Sequence, residues 1–103
     1  VSANLQITRG TDSVVTFDGR IDATNAETVL GKVGALVEPN KPLQLDVSAL
    51  QSANSVTVSV LLALAAQAER RGGKIACINA PDRLRAAAHL CKAEALLGML
   101  AAD

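Results

Sequence analysis

Few residues in this chain could do covalent chemistry. Ser55, His89 and Asp46 are the ingredients of a hydrolytic triad: a nucleophile, a base and an orienting carboxylate. The surrounding sequence does not support that use. No Gly-x-Ser-x-Gly elbow is present, and the lone His89 falls among alanines in "RAAAHLCK". It reads as a surface or capping histidine, and the protein as a non-enzyme. Cys77 and Cys91 have no CxxC spacing and too few companion ligands for a metal. They read as two buried small hydrophobes of a reducing cytosol; a disulfide would be out of place without an export signal. No Gly-x-x-x-x-Gly-Lys-Ser/Thr phosphate loop occurs. No cofactor is expected, and any nucleotide hydrolysis would belong to a partner.

What remains is a polar interruption, "SANSVT", residues 52–57. One apolar run ends at Leu50 and another begins at Val56, with small or polar side chains from Gln51 to Ser55 between them. Asn54 and Ser55 are both good N-cap types, so the plainest reading is a loop followed by a capped helix. A helix start also offers free N–H groups and the positive end of a dipole, which suit an anion or a hydrogen-bonding partner. A phosphate on Ser55 would add roughly −1.5 to −2 charges to a chain whose ten basic and ten acidic residues cancel.

That balance, with one Phe and no Tyr or Trp, argues against nucleic acid and against a polybasic membrane surface. No apolar run approaches the ~18 residues of a membrane span, so direct membrane insertion is not expected. No leader pattern opens the chain, and its start at Val1 rather than Met suggests the loss of a start residue or tag. The 103 residues fit one domain, 1–103, with an interior of Val, Leu, Ile and Ala.

Patterning supplies the frame. "NLQITRG" alternates and reads as a strand; "SVVTFDG" follows a Thr11–Asp12 turn and reads as its antiparallel partner. Val29, Val33, Leu36 and Val37 then lie on one helical face, with Thr24 and Glu27 in capping-box spacing and Pro39 and Pro42 as terminators. Gly31 and Gly34 weaken that helix by about 1 kcal/mol each; close packing is one reason to keep them. "LQLDVSAL" is a third strand, Ser55 to Arg71 the strongest helix, and "KIACINA" a fourth strand. Arg70 and Arg71 suit the helix's last turn, and Gly72 its close. Pro81 suits the first turn of a third helix, and "AEALLGML" is an apolar tail that forms a strand or helical turn. The order ββαβαβα predicts an α/β fold: a mixed four- to five-stranded sheet with helices packed against it.

On a helical wheel the strongest helix has a wide apolar arc. Val58 and Leu62 extend it on the flank that carries Glu69, and Ser59, Ala63, Ala66 and Arg70 leave the opposite side small and flat. Either another helix of the chain covers the excess, or a second backbone approaches closely.

The stretches "FDGRIDATNAETVL" and "LQLDVSALQSANSVTVSVLLALAAQAERRGGKIACINAPDRLRAAAHL" resemble a STAS domain across nearly the whole chain. The matching positions are Gly19, Ile21 and Asp22, then Asp46, Val47 and Ser48, then Gly72, Gly73, Pro81 and Leu84. The resemblance implies a STAS-like sheet and one of two roles. In the MlaB-like branch the domain is a small cytoplasmic subunit bound to the ATPase of an ABC transporter that moves phospholipid between bacterial membranes. In anti-sigma factor antagonists a loop serine is phosphorylated by a kinase that is also the anti-sigma factor. Both roles fall on Ser55. Asn54 stands where the family's loop has Asp, and Val56-Thr57 where antagonists have Ser-Gly, which favours the transporter branch. The implied partner is therefore an ABC transporter ATPase subunit, with an anti-sigma factor kinase as the alternative. The expected site is the loop and first two turns of the helix: Ser52, Asn54, Ser55, Thr57, Val58 and Leu62. Ser55 is the candidate phosphorylation position. The implied location is cytoplasmic, peripheral to the inner membrane through the partner.

Overall fold

Two β-branched runs near the start pair with each other, and each later strand arrives by a helical crossover. The computed structural model describes residues 4–10 and 13–99; the expected Thr11–Asp12 turn and Leu100 lie outside them. The elements are β1 (Leu5–Arg9), β2 (Val14–Gly19), α1 (Ala26–Gly34), β3 (Pro42–Leu50), α2 (Ser55–Arg70), β4 (Lys74–Ile78) and α3 (Asp82–Leu90). The sheet order is β1-β2-β3-β4. β1 and β2 are antiparallel, and β2–β3 and β3–β4 are parallel, as crossover connections require. The mixed α/β sheet expected from the sequence is the one observed, with four strands.

Alternation decides the faces. Val15, Phe17, Leu43, Leu45, Val47, Ile75 and Cys77 are buried in one core with Val29 and Val33 of α1, Leu61 and Leu64 of α2, and Leu84 and Ala88 of α3. Thr8, Thr16, Gln44, Asp46 and Ser48 alternate with these strand residues and form the polar outer face. The register shifts between Thr16 and Asp18 because Val47 and Ser48 of β3 together oppose Phe17, a bulge on β3 just before β2 leaves the sheet. Gly19 makes that exit possible. Its φ is +122°, and a Cβ there would run into the Asn4 carbonyl.

The entry to α1 differs from the capping box read in the sequence. The helix begins at Ala26 with Asn25 at the N-cap, so Thr24 lies one residue too early. Its hydroxyl and N–H both donate to the Asp22 carboxylate. Asn25 turns inward: Oδ1 accepts from the Asp22 N–H at 3.0 Å and Nδ2 donates to the Arg20 carbonyl at 2.8 Å. The glycines of α1 divide. Gly31 faces open space, whereas a Cβ on Gly34 would meet the Gln67 side chain, so Gly34 sets how closely α1 and α2 approach. Arg71 lies just past α2 and reaches across to donate to the Gly34 carbonyl at 2.8 Å, closing the C-terminal end of α1.

Pro81 is the N-cap of α3, one residue earlier than the first-turn position expected. The tail after α3 forms turns, and Leu97 and Met99 are buried. The Leu97 carbonyl accepts from the Cys77 N–H at 2.8 Å, on the open edge of β4. Arg85 donates to the Met99 carbonyl at 3.0 Å. The two cysteines have different environments. Cys77 is buried, but Cys91 is exposed beyond the end of α3, contrary to the expectation of two buried thiols. α3 ends at Leu90 and Cys91 is its C-cap, so the buried face of Leu84 and Ala88 does not continue to Cys91.

Candidate functional site

The polar stretch 52–57 lies where β3 ends and α2 begins, beyond the carboxyl end of a parallel strand. Most of its hydrogen-bonding capacity is directed inward. Asn54 has extended backbone, and its Oδ1 accepts from the Thr57 N–H at 2.9 Å, as an N-cap should. Thr57 is 0 % exposed. Its Oγ1 lies 3.0 Å from the Ile21 carbonyl, 2.8 Å from Ser52 Oγ and 3.1 Å from Asn54 Oδ1. Ser52 Oγ accepts from the Ile21 N–H at 3.0 Å. One assignment satisfies all of these groups: Thr57 donates to Ile21, Ser52 donates to Thr57, and Ile21 donates to Ser52. The interruption therefore ties the β2–α1 connection to the start of α2.

This corrects two of the six expected docking residues. Thr57 and Val58 are interior, Val58 at 1 % exposure. The start of α2 fixes the helical phase, so Thr57, Leu61, Leu64 and Ala68 point at the sheet. Val60 borders α1, together with Ala26 and Leu30. Val58 lies on the opposite flank, and α2 is packed by α1 and by α3. The chain's own helices cover the excess apolar arc at Val58. Ser52 is half-buried and committed to Ile21. Asn54, Ser55 and part of Leu62 remain at the surface.

Ser55 is the first residue of α2 and is exposed, and among the described residues its hydroxyl has no partner. No acidic residue occupies the first turn of α2, so the positive end of the dipole is not neutralised locally. From Ser55 the outward ridge runs through Ser59, Leu62, Ala63, Ala66, Glu69 and Arg70, all exposed or half-exposed. A groove lies on each side. One, against α1, is lined by Ala26, Leu30, Val56, Val60 and Ala63. The other is a cleft of about 500 Å³ lined by Leu62, Ala65, Ile75, Ala95 and Leu96, with Glu69 and Lys74 also in its wall. Val56 at 37 % exposure and Leu96 at 62 % are apolar groups left in water. Val56 opens the apolar run, but on the α2 wheel it lies at the edge beside Ala63, which is why it stays in water.

The matched family describes itself as "Mlab, STAS domain" and covers residues 5–100. The chain belongs to the STAS domain family. Comparison with curated proteins returns no match. The motif positions of this STAS domain have physical reasons in the fold. Gly19 makes the turn out of the sheet. Asp22 accepts from the Thr24 hydroxyl and then from its N–H, which lowers its pKa below 3.8. Asp46 is held down in the same way by the Ser48 N–H, then by the Ser48 hydroxyl and Asn79. Gly72 has φ +77°, and a Cβ on Gly73 would strike the Glu38 carbonyl. The triad ingredients are bonded elsewhere: Asp46 to Ser48 and His89 to Glu94 at 2.9 Å. Among the described residues no cluster of His, Cys, Asp and Glu could hold a metal ion, and no helix is long and apolar enough to cross a membrane.

Proposed function

We propose that this STAS domain is a binding subunit that docks on the ATPase of an ABC transporter handling phospholipid at the bacterial inner membrane, holding that ATPase in its assembled form. The observation that carries the reading is Ser55: an exposed, uncommitted hydroxyl at the open end of α2, heading a ridge of small side chains between two apolar grooves. The polar groups around it are satisfied internally, so the end of α2 is rigid before any partner arrives. Docking then orders little new chain, which reduces its entropic cost. The contact residues are Asn54, Ser55 and Leu62 of the original expectation, with Val56 and Ser59 replacing Thr57 and Val58. The family description supports the transporter branch. The location that follows is cytoplasmic, at the inner membrane through the ATPase.

The test is co-purification with the ATPase of a phospholipid ABC transporter from the same cell. Ser55→Arg, with a helix content and melting temperature equal to the parent, is expected to lose the ATPase. Retention of the ATPase by that variant refutes the site. A phosphate on Ser55 added by a neighbouring kinase, with no ATPase bound, would favour the anti-sigma factor antagonist role instead.

A further inference from the structure

The outward ridge of α2 is complementary to itself. About a point between Leu62 and Ala63, the exposed positions are arranged symmetrically: Ser59 balances Ala66, and Ser55 and Val56 balance Arg70 and Glu69. At 100° per residue, Ser55, Leu62 and Glu69 fall on one side of the ridge, and Val56, Ala63 and Arg70 on the other. An antiparallel two-fold pairing keeps each side facing itself. It brings the two Leu62 side chains together and the two Ala63 side chains together, and it sets Ser59 of each copy on Ala66 of the other. Glu69 of each copy then lies over Ser55 of the other.

The charges fit this orientation. Glu69 is exposed and forms no ion pair among the described residues. The first turn of α2 has no acidic residue, and the Ser55 hydroxyl is uncommitted. A carboxylate at a helix start is favourable, and one that also accepts from a hydroxyl is more so. Arg70 falls opposite Val56, so no like charges meet. Small residues at the crossing let the backbones approach, and the groove beside Leu62 and Leu96 has room for Leu62 of the second copy.

We propose that two copies of this chain associate antiparallel through the outward face of α2, with Glu69 of each docked on the Ser55 end of the other. One helix pair buries less than the ~1,200 Å² of a standard interface, so the association is weak and reversible. It uses the face assigned above to the ATPase, so the two contacts exclude each other: self-association covers the apolar ridge of the free chain until the partner takes it.

The test is analytical ultracentrifugation of the chain alone from ~10 μM to ~1 mM, the range a small interface requires. A monomer–dimer equilibrium is expected. Ala66→Arg at an exposed position, with helix content unchanged, should weaken it by tenfold or more. Ser55→Asp sets two carboxylates together and should also weaken it, and Ser55→Asp with Glu69→Lys should restore it. A monomer at every concentration overturns the proposal, as does a dimer indifferent to Ala66→Arg. A double variant no tighter than Ser55→Asp overturns the antiparallel register. Because no ATPase is present, this result and the co-purification result stand or fall separately.

Discussion

Thr57 is where the interior role of the polar stretch can be measured. Thr57→Val keeps the shape of the side chain and removes only the hydroxyl. In the folded protein that hydroxyl is fully buried and lies 3.0 Å from the Ile21 carbonyl and 2.8 Å from Ser52 Oγ. Valine leaves the Ile21 carbonyl without this donor and the Ser52 hydroxyl without this acceptor. A buried polar group stripped of its partner costs about 1–3 kcal/mol. Two groups are affected, but Ser52 is half-buried and regains water, so about 2 kcal/mol is expected. For a domain near 100 residues that lowers the melting temperature by roughly 8 °C or more. Urea unfolding followed by circular dichroism gives the free energy directly. Ser55→Ala is the control, an exposed change expected within about 0.5 kcal/mol of the parent. A Thr57→Val protein as stable as that control would show that the hydroxyl network contributes nothing, and the account of the interruption would fail.

The remaining predictions concern protons and thiols. Asp22 and Asp46 both titrate below the ordinary carboxylate value of 3.8 when folded, chiefly because Thr24 and Ser48 donate to them. A carboxylate whose pKa falls on folding adds stability above its unfolded value and loses it as pH drops through the folded one. The urea midpoint should therefore decline on acidification below about pH 5, and Asp46→Asn should flatten the decline; a midpoint constant from pH 6 to 3 contradicts this. Burial raises the Cys77 thiol to about 12, whereas Cys91 is exposed. A thiol reagent at pH 8 should modify one cysteine quickly in the native protein and the second only on unfolding, and Cys91→Ser should abolish the fast phase. Two fast thiols would place Cys77 incorrectly.

The frame was legible because its signals are periodic. Leu43, Leu45 and Val47 alternate with Gln44 and Asp46, and the sheet buries the first set and leaves the second on its outer face. The spacing of helices and strands required parallel crossovers, and those are the pairings found. Contacts between distant residues were not legible. Thr24 and Glu27 have capping-box spacing, but Asp22 takes the Thr24 hydroxyl and Asn25 becomes the cap, a competition decided by where the chain leaves β2. Gly34 matters because of Gln67, and Arg71 serves α1 rather than its own helix; neither partner is visible from local spacing. The tail's Leu97 meets β4 through one backbone hydrogen bond that no side-chain pattern announces. At the site, the stretch was identified but its direction was not. Serine, asparagine and threonine look equally suited to water until the helical phase is known.

That phase is set by one residue. Asn54 caps α2 by accepting from Thr57, which starts the helix at Ser55 and no earlier. Starting there, the 100° step turns Thr57 and Val58 inward and leaves Ser55, Ser59 and Leu62 on the open side. Rotating the helix by one position would bury Ser55 and expose Thr57, leaving the Ile21 carbonyl without its donor. The network at Ile21 and the exposed ridge are thus two consequences of the same start point. The buried hydrogen bonds make the alternative phase costly, and that cost keeps Ser55 at the surface. Asn54 shapes the exposed start of α2 chiefly through the backbone it fixes. An acidic residue at that position would also cap, but it would add a negative charge beside Ser55. With the amide, and with no acidic residue in the first turn, the helix start keeps the positive end of its dipole unneutralised.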